Sequence, residues 1–128
     1  NHRHTAEMEL TTGAEVLFTP HLMAAGRGIL ATCYARATAK SDPLAILREA
    51  HAGELFVHVG ETPPETKWTT GSNAAFLSAS YDERTNMVVA IAAIDNLGKG
   101  AAGQMLQCAN LMLGLDEGAG LSNMGVFP

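Results

Sequence analysis

Apolar and polar residues recur with two different periods along this 128-residue chain, and each change of period marks an element. Residues 27–38, "RGILATCYARAT", set Ile29, Ala31, Cys33 and Ala35 on one side and Leu30, Thr32, Tyr34 and Arg36 on the other. That alternation predicts a long strand, apolar on at least one face. Residues 74–81, "AAFLSASY", and 86–94, "NMVVAIAAI", flank the polar turn "DERT" and predict a hairpin. Because 88–94 is apolar on both faces, its strand belongs inside a sheet rather than at an edge. "AEVLFT" at 14–19 reads as a strand closed by Pro20, and "ELFVHVG" at 54–60 as a short one before the loop "ETPPETK".

The helical period appears three times. "TAEMEL" at 5–10 predicts a short helix that Thr11, Thr12 and Gly13 stop. Ser41, Asp42 and Pro43 supply a cap and a first-turn proline for a helix whose stripe is Leu44, Leu47 and the alanines near 50–52. From 99 to 113, Ala102, Met105, Leu106, Ala109, Met112 and Leu113 face one way and Gln104, Gln107 and Asn110 the other, an amphipathic helix of about four turns. The glycine-rich "DEGAGLSNMGVFP" cannot extend it. Strands joined by a hairpin and separated helices imply an α+β domain: a mostly antiparallel (mixed) sheet with helices packed on it.

The length suits one domain with a real core. Eight Lys and Arg against thirteen Asp and Glu give a formal charge of -5, which disfavours nucleic acid and anionic lipid as partners. No apolar run approaches the roughly 20 residues a bilayer needs, and "NHRHTAEME" does not resemble a signal peptide, so a soluble, cytoplasmic protein is expected. The chain opens on Asn1 rather than Met, which reads as a piece of a longer protein. Cys33 and Cys108 lack metal-type spacing and lie in apolar runs; they are expected to be small core residues rather than nucleophiles.

Gly98, Gly100 and Gly103 form a literal G-x-G-x-x-G run between a strand and a helix. A dinucleotide fingerprint also needs a following parallel strand and an acidic residue about 20 positions on, and neither follows. Two readings of the run remain: close packing of helix on sheet, or helix-start N–H groups that face an anion together with Lys99.

His2, Arg3, His4 and Glu7 crowd into six positions. On an extended segment His2 and His4 point the same way, and Glu7 can fold back once a helix begins. A plain polar terminus, a metal site and an acid–base site compete. The metal reading lacks a third ligand at suitable spacing, because His21, His51 and His58 are scattered, and no metal is expected. His2 with Glu7 would suit proton transfer, and Arg3, His4 and Arg27 an anionic substrate.

Taken in order, "HRHTAEME" at 2–9, "FTPHL" at 18–22, "RGILAT" at 27–32, "GSN" at 71–73 and "AIDNLGKGAAGQMLQCANLMLGLDE" at 93–117 resemble the N-acetyl-gamma-glutamyl-phosphate reductase family across nearly the whole chain. The resemblance implies a semialdehyde-dehydrogenase dimerisation-domain-like fold over 1–128, the C-terminal catalytic and dimerisation domain. The helix near 98–114 would pack on an N-terminal Rossmann domain absent from this chain. It implies an NADPH-dependent reductase of arginine biosynthesis. That enzyme turns an acyl phosphate, N-acetyl-glutamyl 5-phosphate, into N-acetylglutamate 5-semialdehyde and phosphate, and assembles as a homodimer or homotetramer.

In such families a cysteine thiolate does the attack, in a segment that nothing here matches. Carried over by position, His2 resembles the acid–base group and Glu7 its orienting carboxylate. His4, Arg3 and Arg27 would hold the substrate's carboxylate or phosphate, and Asn96, Lys99 and Gly100 would lie beside the nicotinamide end of NADP. The segment between Glu7 and "VLFTPHL" is shorter than the family's helix, and "MAAGRG" lacks the usual proline before Arg27. Two alternatives stand beside the reductase fragment: an inactive dimerisation or interaction module derived from such an enzyme, and a zinc hydrolase built on His2 and His4.

Overall fold

The computed structural model describes residues 2–126. Its elements in chain order are α1 (His4–Thr12), β1 (Ile29–Arg36), α2 (Pro43–Ala50), β2 (Val57–Val59), β3 (Ala75–Asp82), β4 (Met87–Ile94) and α3 (Gly103–Met112). A single 3-10 turn (Thr66–Thr69) precedes β3, and one π-helical turn (Gly98–Ala102) leads into α3. The α+β expectation holds.

Local chemistry accounts for the ends of these elements. Gly13 stops α1 in the left-handed region at φ 67, and its N–H bonds the Glu9 carbonyl at 2.8 Å. Asp42 caps α2 by accepting from the N–H groups of Leu44 and Ala45, with Pro43 at the first helical position. The hairpin turn closes on Asn86 at φ 56, a conformation asparagine tolerates. Asn86 also accepts from the Tyr81 hydroxyl and donates to the Ala37 carbonyl, which ties the turn to the end of β1.

The sheet runs in the order β1-β4-β3-β2, with β1 and β3 antiparallel to β4 and β2 parallel to β3. β4 is therefore internal, as its two-sided apolar pattern requires. Phe56, Ala74, Ala75, Ala79 and Ala93 form a small apolar core. Polar Thr69, Ser72, Asn73, Ser78, Asp95, Gln107 and Asn110 are buried with it. Helix α2 packs on β2 and β3, while Trp68 and His58 sit against Phe76, their ring centroids 5.8 and 4.9 Å away.

Three expectations fail. "AEVLFT" forms no strand: residues 14–19 are irregular, Leu17 is 95% exposed, and the Val16 N–H is held by the Glu9 carboxylate instead of a neighbouring strand. Strand propensity needs a partner to express itself, and none lies alongside. Cys33 and Cys108 are exposed rather than core, because β1 is uncovered on both faces and Cys108 lies on the outer side of α3. Helix α3 is inverted relative to its pattern. Gln107 and Asn110 point inward while Met105, Leu106, Leu111, Met112 and Leu113 face out.

Candidate functional site

The junction between β4 and α3 is organised by Asp95, whose side chain is fully buried. Its carboxylate accepts from Arg27 Nη2 at 2.6 and 2.7 Å, from the Gly71 N–H at 2.6 Å, and from the Leu97 and Gly98 N–H groups at 2.7 Å each. Burial by itself would raise this carboxyl's pKa. Arg27 and the three backbone donors outweigh it and hold Asp95 far below the usual carboxylate range. One ion therefore ties together the root of β1, the 71–73 turn and the start of α3. Beside it, Asn96 Oδ1 accepts from the Gly28 N–H at 2.7 Å.

The glycine run is explained by close approach. A Cβ on Gly98 would collide with the Ser72 carbonyl, one on Gly103 with Asn73 Oδ1 and the Gly98 backbone, and one on Gly100 would lie 3.1 Å from the Asp95 carbonyl. The N–H groups of Leu97, Gly98, Gly100 and Ala102 are all spent within the chain, on Asp95 and Leu97. They form no phosphate cradle. The packing reading of the run is the one the geometry carries.

Under α3 lies a polar layer. Gln107 Oε1 accepts from Asn73 Nδ2 at 2.8 Å and from Lys99 Nζ at 2.7 Å, and its Nε2 donates to Glu117 at 2.6 Å. Asn110 Nδ2 donates to the carbonyls of Glu117 and Ala119. Lys99 thus points inward, with its ammonium 5.7 Å from the Phe56 ring centroid. Burial lowers its pKa, against the opposing pull of negative charge at Glu117, Cys108 and Glu54. This layer explains the inverted helix: its polar side is inside because the 116–119 segment and Asn73 bring matching partners.

The histidine cluster occupies the other end of the chain. His2 Nδ1 accepts the backbone N–H of His4 at 3.3 Å, which assigns the ring proton to Nε2. The His2 ring stands edge-on to His4 at 4.9 Å and to Phe18 at 5.1 Å. It borders an open cleft shared with Thr5, Ala6, Glu9, Glu15, Val16 and Leu17. Glu9, not Glu7, is the helix carboxylate in that cleft, because one helical turn beyond Thr5 and Ala6 returns at residue 9. Among the described residues no hydrogen bond joins Glu7 to His2, and no group of three or more His, Cys, Asp or Glu could hold a metal ion.

The expected site residues thus fall into two groups. His2, Arg3, His4 and Glu7 stand on α1 and its start; Arg27, Asn96, Lys99 and Gly100 meet at the junction. Among the described residues no hydrogen bond, ion pair or ring contact links the two groups. Arg27 and Lys99, expected to meet anions, are engaged by Asp95 and by Gln107. Asp95, Asn73, Gln107 and Glu117 were not singled out by the sequence. For Asp95 a signal existed: an Asp directly after an apolar strand and before a helix start is a side-chain cap for free N–H groups.

The comparisons bear on both groups. A family model described as semialdehyde dehydrogenase, dimerisation domain, matches residues 1–96. Proteins named N-acetyl-gamma-glutamyl-phosphate reductase are similar to nearly all of the chain. That of Bradyrhizobium sp. (strain ORS 278) is 51% identical over 135 residues, covering 99% of this chain and 42% of the relative. That of Methylobacterium sp. (strain 4-46) is 50% identical over 118 residues, 91% of this chain and 36% of the relative. The one from Aquifex aeolicus (strain VF5) is 46% identical over 133 residues, 99% and 39%. The chain spans about two fifths of the length of these relatives.

Proposed function

Because the chain belongs to the semialdehyde dehydrogenase family, through its dimerisation domain, we propose that it is the C-terminal catalytic and dimerisation part of an NADPH-dependent acyl-phosphate reductase. The substrate would be N-acetyl-glutamyl 5-phosphate and the products N-acetylglutamate 5-semialdehyde and phosphate, in the cytoplasm. The observation that carries this is His2: a ring held by His4 and Phe18 in a chain half identical to reductases over almost its whole length.

In this reading a thiol from outside the chain displaces phosphate to give a thioester. Bound NADPH supplies the hydride that reduces it. To act as an acid His2 must be the imidazolium, so the proton released by the thiol goes to Nδ1 in place of the long His4 N–H contact. The ring's Nε2 then gives a proton to the oxygen of the forming hemithioacetal and takes it back as the aldehyde leaves. Arg3 and His4, both exposed beside His2, hold the departing phosphate or the substrate carboxylate. Glu7 is carried over as the carboxylate that orients His2, which requires the start of α1 to rearrange in the complete site, since Glu9 is the helix carboxylate in the His2 cleft here.

The residues at the start of α3 fit the nicotinamide end at one edge. Asn96 spends its amide oxygen on Gly28 while its amide nitrogen has no partner among the described residues, and Gly100 is exposed beside it. Arg27 and Lys99 act there from behind, holding Asn96 and the π-helical turn in place through Asp95 and Gln107. The outward apolar side of α3, with Met112 86% exposed, is the surface on which the nucleotide domain would rest.

A second reading, an association module without activity of its own, is favoured by the same exposure of β1 and α3. His2→Ala in the complete protein tests the first. Turnover should fall by about 10²-fold or more, the scale of a positioned proton-transfer group. An unchanged rate rejects the assignment.

A further inference from the structure

Residues 122–126 belong to no helix or strand, yet they are bound firmly to the body of the domain. The Ser122 carbonyl accepts from the Asn73 N–H, and the Val126 N–H donates to the Thr70 carbonyl, both at 2.8 Å. Between them Asn123 Nδ2 donates to the Leu55 carbonyl at 2.8 Å, which turns its Oδ1 toward His58 Nε2 at 2.7 Å and assigns the ring proton to that nitrogen. Glycine permits the close fit from both sides. A Cβ on Gly125 would collide with the Trp68 carbonyl, and one on Gly71, at φ 77, would lie 3.4 Å from the Val126 methyl groups.

What this segment grips is the 70–73 turn, and the other side of that turn is the β4–α3 junction. The Gly71 N–H donates to Asp95 at 2.6 Å, the Ser72 carbonyl abuts Gly98, and Asn73 Nδ2 donates to Gln107 at 2.8 Å. Asn73 shows that this placement is imposed. Its Oδ1 is buried against Gly103 and has no hydrogen-bond partner among the described residues. A buried acceptor left unpaired costs free energy, so the turn sits here because its other contacts hold it.

We infer that residues 122–126 are positioning residues for the cofactor: they press the 70–73 turn onto the junction and so fix Asn96 and the π-helical turn. The ligand rests on the proposed reading, which puts the nicotinamide end of NADPH beside Asn96; the coupling rests on the contacts above alone. Without the grip, the Thr70 carbonyl and the Asn73 N–H lose their partners and the turn moves to find others in water. Gly71 then no longer donates squarely to Asp95, and the junction samples more arrangements. The fraction ready for the nucleotide falls, and the apparent affinity falls in proportion. Among the described residues the histidine cluster makes no hydrogen bond or ring contact with the junction, so the loss should fall on NADPH and spare the acyl phosphate.

Asn123→Ala removes both side-chain anchors, and Gly125→Ala wedges the segment off the Trp68 carbonyl. In the complete protein each should raise the NADPH dissociation constant, read by titration of nucleotide fluorescence, about fivefold or more, the worth of one net hydrogen bond. The KM for the acyl phosphate should not change. Hydrogen exchange should quicken at residues 97–102 by a similar factor of about five and stay as in wild type along β1 and β4. Asn86→Ala, in the hairpin turn, lowers stability without touching the segment and should leave both readouts alone. Asn96→Ala reports the nucleotide contact directly. Exchange at 97–102 no faster than wild type, NADPH and acyl phosphate weakened together, or wild-type NADPH affinity in Asn123→Ala while Asn96→Ala binds weakly would each overturn the positioning role by itself. Wild-type affinity in Asn96→Ala would overturn the reading of the junction, and this role with it.

Discussion

Replacing Asp95 by Asn keeps the shape of the side chain and removes its charge, which makes it the sharpest test of the β4–α3 junction. The carboxylate has no accessible surface and receives four donor groups through five contacts of 2.6–2.7 Å. An amide retains one acceptor oxygen. In its better orientation that oxygen keeps the Leu97 and Gly98 N–H groups, while the new NH2 confronts the Gly71 N–H and the guanidinium. Charge-assisted hydrogen bonds contribute about 1.5–3 kcal/mol each, and loss of one partner of a buried ion pair costs about 3–5. Arg27 is 37% exposed, so solvent screening reduces its share. A net loss of about 3 kcal/mol follows, or roughly 10 °C in Tm for a domain of this size.

Urea unfolding followed by the fluorescence of the single Trp68, with circular dichroism in parallel, measures this loss. Arg27→Met leaves the fully buried carboxylate with three backbone donors and no counter-ion, and should cost a comparable amount, about 3 kcal/mol. The native pKa of Asp95 is depressed below that of the unfolded chain, so its stabilisation is complete above about pH 5 and is lost as pH falls through the native value. The gap between wild type and Asp95→Asn should therefore be constant near neutrality and close in strong acid. A loss below about 1 kcal/mol for Asp95→Asn would refute the view that Asp95 holds the junction.

Gly98→Ala would drive a methyl group into the Ser72 carbonyl, which is backbone and cannot step aside, so the thermal midpoint should fall by more than it does for Asn86→Ala. Asn86→Ala loses the Tyr81 and Ala37 bonds and strains a left-handed turn, for about 1–2 kcal/mol, whereas Asn86→Gly recovers the backbone part; chemical denaturation of the pair separates the two contributions. The turnover of His2→Ala, read by steady-state kinetics of the whole protein, completes the set.

Much of the architecture is written in short-range order. The stop at Gly13, the cap at Asp42 with Pro43, the hairpin around "DERT" and the interior place of β4 each depend on residues a few positions apart, where backbone geometry leaves few choices. The α+β class follows from those elements. Patterning failed where the outcome depended on what stood opposite. "VLFT" has strand chemistry but no neighbouring strand, and Leu17 stays in solvent. α3 turns its glutamine and asparagine inward because Asn73, 34 residues from Gln107, and Glu117 present donors and acceptors there.

The candidate site divides in the same way. His2, Arg3 and His4 could be picked out because they are dense in the sequence, and the glycine run because it is periodic. Asp95 gathers Arg27 from 68 positions away and Gly71 from 24, a convergence no local window contains. Whether a cation such as Arg27 or Lys99 meets solvent, substrate or a buried carboxylate is settled by desolvation and by the partners that folding delivers, both of which exist only once the chain has closed on itself.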